Sequence, residues 1–137
     1  MKRGGEYFID SSVWVAYLRG AENEYVDLID ELLDADGIFI NRIVMTELLK
    51  GSRSLEELDR LSSALNGLKF VGGGAESAQA AGRNGFALKK KSVSVPLSDL
   101  TIATDCIDHE LILIERDAHF AAIAAHLPLR RYRNSKT

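Results

Sequence analysis

The chain has 137 residues, of which 46% are hydrophobic and 27% are charged. This length and composition indicate one globular domain that can bury its own core, and they exclude a disordered chain. The single cysteine, Cys106, excludes a disulfide framework and a cysteine-based zinc cage. No apolar run approaches the roughly 20 residues of a membrane span, and the N-terminus lacks an apolar signal segment. We therefore expect a cytoplasmic protein.

The formal net charge is −3. A protein that binds nucleic acid through charge alone is usually strongly basic, so a nucleic-acid partner should be engaged locally and through a metal ion. Two basic patches, Lys89–Lys91 and the tail from Arg130 to Lys136, are more simply explained as solvated surface.

Short apolar runs alternate with amphipathic stretches along the chain. The first half predicts two strands, at 7–9 and 38–40. It also predicts four helices, at 13–18, 24–35, 43–50 and 55–65. Gly51 ends the third helix, and Ser54, with Glu57 three residues later, forms a capping-box start for the fourth.

The second half continues the alternation. It predicts strands at 68–71, 93–95 and 111–114, with a short edge strand within 127–131. It also predicts helices at 75–90, 97–107 and 117–125. The pattern as a whole predicts an α/β fold, in which helices cover both faces of a mainly parallel sheet of roughly five strands. One domain accounts for residues 1–137.

Three acidic residues follow predicted strands. Asp10 comes directly after the first strand, Asp99 lies a few residues after the strand at 93–95, and Asp117 follows the strand at 111–114. In open parallel sheets ligands bind beyond the carboxyl ends of the strands, so these carboxylates should converge. Their mutual repulsion is relieved by a divalent cation, and oxygen-only ligands favour Mg²⁺ or Mn²⁺. The sequence therefore predicts an acidic metal site.

Glu47 is a different kind of candidate because it lies inside a predicted helix among apolar neighbours. A carboxylate in such surroundings needs a partner or its pKa rises, and an arginine would serve as well as a metal. Ser12 could hydrogen-bond a site carboxylate, although helix capping is its simpler role. The strand-end acids also have a simpler alternative, as helix caps or as partners of helix dipoles.

Other polar residues near these positions fit the site less well. Helix geometry turns Asp105 and Asp108 away from Asp99, so both are excluded from the predicted site. His119, two residues after Asp117, could reach a substrate phosphate, but a surface or packing role explains it more simply.

Four segments of the sequence resemble the acidic motifs of PIN-domain nucleases. They are Phe8–Trp14, Thr46–Gly51, Val95–Ala103 and Leu113–Phe120. Each motif is short, but the four occur in the family's order and spacing over about residues 7–131. Length and motif spelling are closest to the VapC-type toxins of bacterial and archaeal toxin–antitoxin pairs.

The resemblance implies a three-layer α/β/α domain with metal-dependent endoribonuclease activity. It implies that the catalytic acids are Asp10, Glu47, Asp99 and Asp117. Asp10, Asp99 and Asp117 would bind Mg²⁺ or Mn²⁺, Glu47 would hold water or act as base, and Ser12 would support the site. It also implies an RNA substrate, a homodimer and a VapB-type antitoxin whose tail occupies the site groove.

Two positions depart from the family pattern. Glu115 stands where a small hydroxyl residue is common, and it adds negative charge beside Asp117. Lys91-Ser92 stands where a glycine often precedes the fourth strand. The first departure could alter metal affinity or substrate choice, but neither removes a motif acid.

Two other functions remain open on the sequence. A PIN domain outside the toxin class, acting in RNA processing or on DNA, would carry the same acids. Growth arrest on expression, or an adjacent antitoxin-like reading frame, would separate the two. A non-enzymatic metal-binding or phospho-accepting α/β switch would also cluster acids after its first strand. Such a switch needs a later lysine, and none directly follows the strand at 111–114.

Overall fold

The computed structural model describes residues 5–20 and 24–133. Within these ranges five strands and seven helices alternate along the chain. The strands are β1 (Tyr7–Ile9), β2 (Ile38–Ile40), β3 (Lys69–Phe70), β4 (Ile112–Ile114) and β5 (Arg130–Arg131). The helices are α1 (Ser11–Leu18), α2 (Val26–Asp34), α3 (Arg42–Lys50), α4 (Leu55–Leu65), α5 (Ala75–Lys90), α6 (Leu97–Asp108) and α7 (Ala118–Ala124).

The five strands form one sheet in the order β3-β2-β1-β4-β5, and every pair is parallel. The central strand is β1, whose Phe8 is in register with Phe39 of β2 and Leu113 of β4. After β1, the chain adds β2 and then β3 on one side of the sheet. It then crosses to the other side of β1, where it adds β4 and β5. A parallel sheet offers a ligand crevice where its strand order reverses, at the carboxyl ends of the strands. Here that crevice lies at β1 and β4.

The core surrounds the central strands. Tyr7, Phe8 and Ile9 are all buried, and successive residues of a strand point to opposite faces. Both faces of β1 are therefore covered, which explains why its sequence is a continuous apolar run. The predicted α/β fold with a five-stranded parallel sheet is confirmed. No helix in the described part of the chain is long and apolar enough to cross a membrane.

The predicted strand at 93–95 is wrong. Residues 93–96 are all described and form no strand, and the fifth strand is instead the predicted edge strand, β5. The reason lies in how α5 ends. Ser92 is in the left-handed region with φ of 62°, and the backbone N–H of Val93 donates to the Leu88 carbonyl oxygen at 2.9 Å. This helix-capping turn uses the donor that a strand would need, and Val93 and Val95 instead pack against the core as a connector.

The predicted helices are present, and two of their starting signals are visible as hydrogen bonds. The Ser54 hydroxyl oxygen accepts from the backbone N–H of Glu57 at 3.1 Å, as the capping box predicted. The side chain of Asn41 caps α3 by accepting from the backbone N–H of Val44 at 3.0 Å. This second cap fixes the start of the helix that carries Glu47.

Candidate metal centre

Asp10 lies at the carboxyl end of the central strand and is 7% exposed. Its backbone N–H donates to the Ile114 carbonyl oxygen at 3.0 Å, which ties the end of β1 to the end of β4. The Asp10 carboxylate makes no capping hydrogen bond to α1. It instead accepts a hydrogen bond of 2.9 Å from the Ser12 hydroxyl. Asp10 is therefore the N-cap residue of α1 by position, but its side chain does not make the usual capping hydrogen bond.

The pKa of Asp10 is raised, chiefly because burial disfavours the charged carboxylate. Hydrogen bonds from the Ser12 side chain and the Ser11 backbone lower it in part, while electrostatic repulsion from Asp99 and Glu47 raises it further. This repulsion means that acids from β1, α3 and α6 are close enough to act on one another. The fold thus brings together three acids that are far apart in the sequence.

Glu47 approaches this edge of the sheet from α3 and is half-buried. Among the described residues, no arginine forms an ion pair with it. The alternative explanation, that an arginine neutralises Glu47, therefore finds no support in the described part of the chain.

Asp99 and Asp117 meet around the ring of His119. His119 Nδ1 lies 2.8 Å from Asp99 Oδ2 and 3.1 Å from Asp117 Oδ1. Asp117 caps α7, because its Oδ1 accepts from the backbone N–H of His119 at 2.8 Å. One oxygen or nitrogen atom from each of the three side chains lies within 4.8 Å of the other two. His119 is thus part of the acidic cluster, although surface or packing was its simpler explanation from sequence.

Glu115 adds a further acid beside the cluster. Its side chain is 8% exposed and lies 3.7 Å from Nη1 of Arg131 on β5. Burial raises the pKa of Glu115, Arg131 opposes that rise, and repulsion from Asp10 and Asp117 adds to it. The departure from the family pattern at this position therefore increases the negative charge near Asp10 and Asp117, with Arg131 as its counter-charge.

Asp105 has a role that the sequence did not reveal. It is 2% exposed, and its carboxylate accepts hydrogen bonds from Asn41 Nδ2 at 2.9 Å and from the Ser77 hydroxyl at 2.8 Å. It therefore connects α6 to the cap of α3 and to the first turn of α5. The only hint in the sequence is that Asp105 stands between apolar or small neighbours, a pattern typical of a buried and therefore hydrogen-bonded acid. Asp108, by contrast, is exposed.

The donor set fits a divalent cation. The carboxylates are hard oxygen ligands of the kind that such ions prefer. Among the described residues, no lysine or arginine pairs with Asp10, Asp99 or Asp117. His119 is the basic side chain that contacts Asp99 and Asp117 in the described part of the chain, and a set of acids with so little paired positive charge suits an added cation.

A groove of about 760 Å³ opens beside Glu47, between α1, α3 and α4. Part of its lining is apolar, from Val15, Leu18, Leu48, Leu61 and Ala64. Basic side chains also border it, from Arg19, Arg53 and Arg60. The groove therefore places Glu47 beside a surface that is partly apolar and that carries three arginines and a second acid, Glu57.

Solved structures of known proteins share this fold. VapBC2 from Rickettsia felis, bound to a DNA fragment from the promoter, matches with a TM-score of 0.75 at 20% identity, over 92% of this chain and 96% of that one. DNA-bound VapBC from Salmonella typhimurium matches with a TM-score of 0.75 at 16% identity, over 94% and 98%. VapBC-5 from Mycobacterium tuberculosis, a member of the VapBC family of toxin–antitoxin systems, matches with a TM-score of 0.65 at 17% identity, over 96% and 100%.

Sequence comparisons give one clear result. A comparison with curated proteins found no match. The model of the PIN domain family matches residues 7–126, a span that includes Asp10, Glu47, Asp99 and Asp117. Because this match extends over most of the sequence, the chain belongs to the PIN domain family.

Proposed function

We propose that this protein is a metal-dependent endoribonuclease that hydrolyses RNA phosphodiester bonds, and that it is the VapC-type toxin of a toxin–antitoxin pair. The observation that carries the proposal is the convergence of four family acids at the crevice beside β1 and β4. These acids are Asp10, Glu47, Asp99 and Asp117. Membership of the PIN domain family supports a nuclease, and the likeness in fold to VapBC proteins favours the toxin class.

The residues suggest how the reaction would run. Asp10, Asp99 and Asp117 would hold Mg²⁺ or Mn²⁺, which when bound supplies positive charge to polarise the scissile phosphodiester and to activate an attacking water. The 2.9 Å hydrogen bond from the Ser12 hydroxyl would hold the Asp10 carboxylate in one orientation as a ligand. Glu47 borders the cluster from α3 and is our candidate for the base that takes the proton of the attacking water.

The test of this proposal is cleavage of RNA by purified protein with and without divalent cation. We expect Asp99→Asn to reduce Mg²⁺- or Mn²⁺-dependent cleavage by at least about 100-fold, because it removes a negative ligand while keeping the side-chain shape. Asp108→Asn is the matched control, since Asp108 is an exposed acid on the same helix, and it should cleave like wild type. Wild-type rates in a correctly folded Asp99→Asn protein would refute the proposed site.

We also propose an antitoxin partner of the VapB type, which would occupy the groove beside Glu47. The apolar lining of that groove suits one face of an amphipathic helix. Leu18 borders the groove and is 47% exposed, whereas Leu33 on α2 is 39% exposed and is absent from its lining. We expect Leu18→Asp to lose co-purification with the product of an adjacent antitoxin-like reading frame, while the control Leu33→Asp retains it. Equal retention by both variants would rule out this groove as the docking site.

The toxin class has its own test. Expression of the wild-type chain without its partner should arrest growth, and expression of Asp99→Asn should not. A chain that cleaves RNA but leaves growth unchanged would be a PIN nuclease of the RNA-processing kind instead.

A further inference from the structure

We infer that His119 supplies a nitrogen ligand to the metal centre and that this nitrogen makes the centre favour first-row transition-metal ions over Mg²⁺. The inference rests on the proposed function in one respect, namely that the acidic cluster binds a divalent cation. It changes the expected ligand set from oxygen alone to oxygen and nitrogen.

The first support is the spacing of the ligand atoms. His119 Nδ1 lies 2.8 Å from Asp99 Oδ2 and 3.1 Å from Asp117 Oδ1. Adjacent ligands of an octahedral ion with bonds of about 2.1 Å stand about 3 Å apart. Both separations from His119 Nδ1 therefore match those between neighbouring ligands of one ion, and the atoms offered by the three side chains all lie within 4.8 Å of one another.

The second support is the way the backbone holds the histidine. The backbone N–H of His119 donates to Asp117 Oδ1 at 2.8 Å, so this capping bond holds the Asp117 carboxylate beside the backbone of His119 at the start of α7. The side chains of Asp117 and His119 are 44% and 47% exposed, whereas that of Asp99 is 15% exposed. The cluster is consequently open to an ion arriving from solvent on the side of α7.

The third support is chemical. Imidazole nitrogen is a softer ligand than carboxylate oxygen, and sites that contain it favour later first-row metals such as Fe²⁺, Co²⁺ and Ni²⁺. Mg²⁺ is a hard ion that keeps oxygen ligands and several waters, so it gains little from a nitrogen donor. Removing the ring should therefore weaken binding of a transition metal much more than binding of Mg²⁺.

The experiment compares Co²⁺ and Mg²⁺ binding to the purified full chain, by calorimetry and by the visible absorption of Co²⁺. We expect His119→Ala to weaken Co²⁺ binding by roughly tenfold or more while changing Mg²⁺ binding by less than about threefold. His119→Phe, which keeps a flat ring without nitrogen, should behave in the same way. His126→Ala is the control, since His126 is also exposed and follows the end of α7, and it should bind both ions like wild type.

A direct readout of the nitrogen comes from proton NMR of the Co²⁺ form. A ligated His119 should give a strongly shifted, exchangeable imidazole N–H resonance that is lost in His119→Ala and kept in His126→Ala. If that resonance is missing and His119→Ala binds Co²⁺ as tightly as wild type, the inference is overturned and His119 only hydrogen-bonds the acids. If Asp99→Asn also binds both ions like wild type, the acidic centre itself, and with it the proposed function, fails.

Discussion

The carboxylate of Asp10 is buried and lies near other acids. Burial raises its pKa above the ordinary 3.8, and repulsion from Asp99 and Glu47 raises it further. An acid with a raised pKa in the folded state destabilises that state once it ionises. The site is therefore expected to lower the stability of the metal-free protein and to recover stability when a cation binds.

A stability measurement at this residue follows from the sign of the shift. The contribution of Asp10 to the free energy of unfolding is intact below its unfolded pKa, near 3.8, and is lost as pH rises through its higher folded pKa. Asp10→Asn cannot ionise, so at neutral pH and in the presence of a chelator it should be more stable than wild type. That gain should shrink as the pH is lowered, because wild-type Asp10 becomes protonated.

Urea unfolding at neutral and at mildly acidic pH measures this difference. Asp108→Asn, at an exposed position, serves as the control and should change stability little. An Asp10→Asn protein that is less stable than wild type at neutral pH would contradict the account of Asp10 as a repelled, buried acid.

The sequence predicted which acids form the site better than it predicted the residues that hydrogen-bond to them. Asp10 and Asp117 follow strands, as predicted, whereas the strand predicted before Asp99 is absent and Asp99 instead lies in the first turn of α6. The role of His119 in the cluster could not be predicted, because it depends on the contact between α6 and α7 in the folded chain. The hydrogen bond between Asn41 and Asp105 joins residues 64 positions apart, and no local pattern encodes such a pair.

At the scale of elements, the Asp105 network sets how the helices of the site stand relative to one another. Asp105 is on α6, which carries Asp99, and its partner Asn41 caps α3, which carries Glu47. The connection also reaches Ser77 on α5. We therefore expect the relative placement of Glu47 and Asp99 to depend on a hydrogen-bond network outside the metal cluster.

Gly72 offers a test of this network. It has a φ of 74°, and a methyl carbon added there would lie 2.5 Å from Asp105 Oδ2. Gly72→Ala should therefore lower the free energy of unfolding by about 2 kcal/mol or more, through backbone strain and displacement of a buried carboxylate.

Gly82 is the matched control, because it lies within α5 and has no atom within 4 Å of an added methyl. Gly82→Ala should be stabilising by roughly 0.5–1 kcal/mol, as expected for an exposed helix position. If the two variants were equally stable in urea unfolding, both the backbone strain at Gly72 and the contact with Asp105 would be refuted as sources of instability.

The strand predicted at residues 93–95 is absent for a physical reason. The run Val93 to Val95 alternates like a strand, and periodicity alone cannot distinguish a strand from a buried connector. The deciding feature is the left-handed Ser92, which ends α5 and takes the Val93 N–H. Because serine occupies a position that usually favours glycine, the sequence carries no clear signal for this turn.

At the scale of the whole molecule, the order of the strands matters more than any single motif. The acids are at residues 10, 47, 99 and 117, and they converge because β1 lies between β2 and β4 in an all-parallel sheet. Alternating strands and helices were enough to predict this class of sheet and its crevice. The homodimer that the family resemblance implies stays a prediction, since it concerns contacts between chains.

The net charge of −3 also acts at this scale. With no overall positive field, binding of RNA should depend on the bound cation and on local arginines such as those of the groove, not on long-range attraction. A single cation site should therefore join Asp10, Glu47, Asp99 and Asp117.

The most direct test is a crystal structure of the protein soaked with Mn²⁺ and measured at the manganese absorption edge. We expect an anomalous difference peak in contact with the carboxylates of Asp10, Asp99 or Asp117, with Glu47 beside it. The peak should disappear in Asp99→Asn crystals that are otherwise unchanged. A strong peak elsewhere in the molecule, with none at this cluster, would contradict the claim.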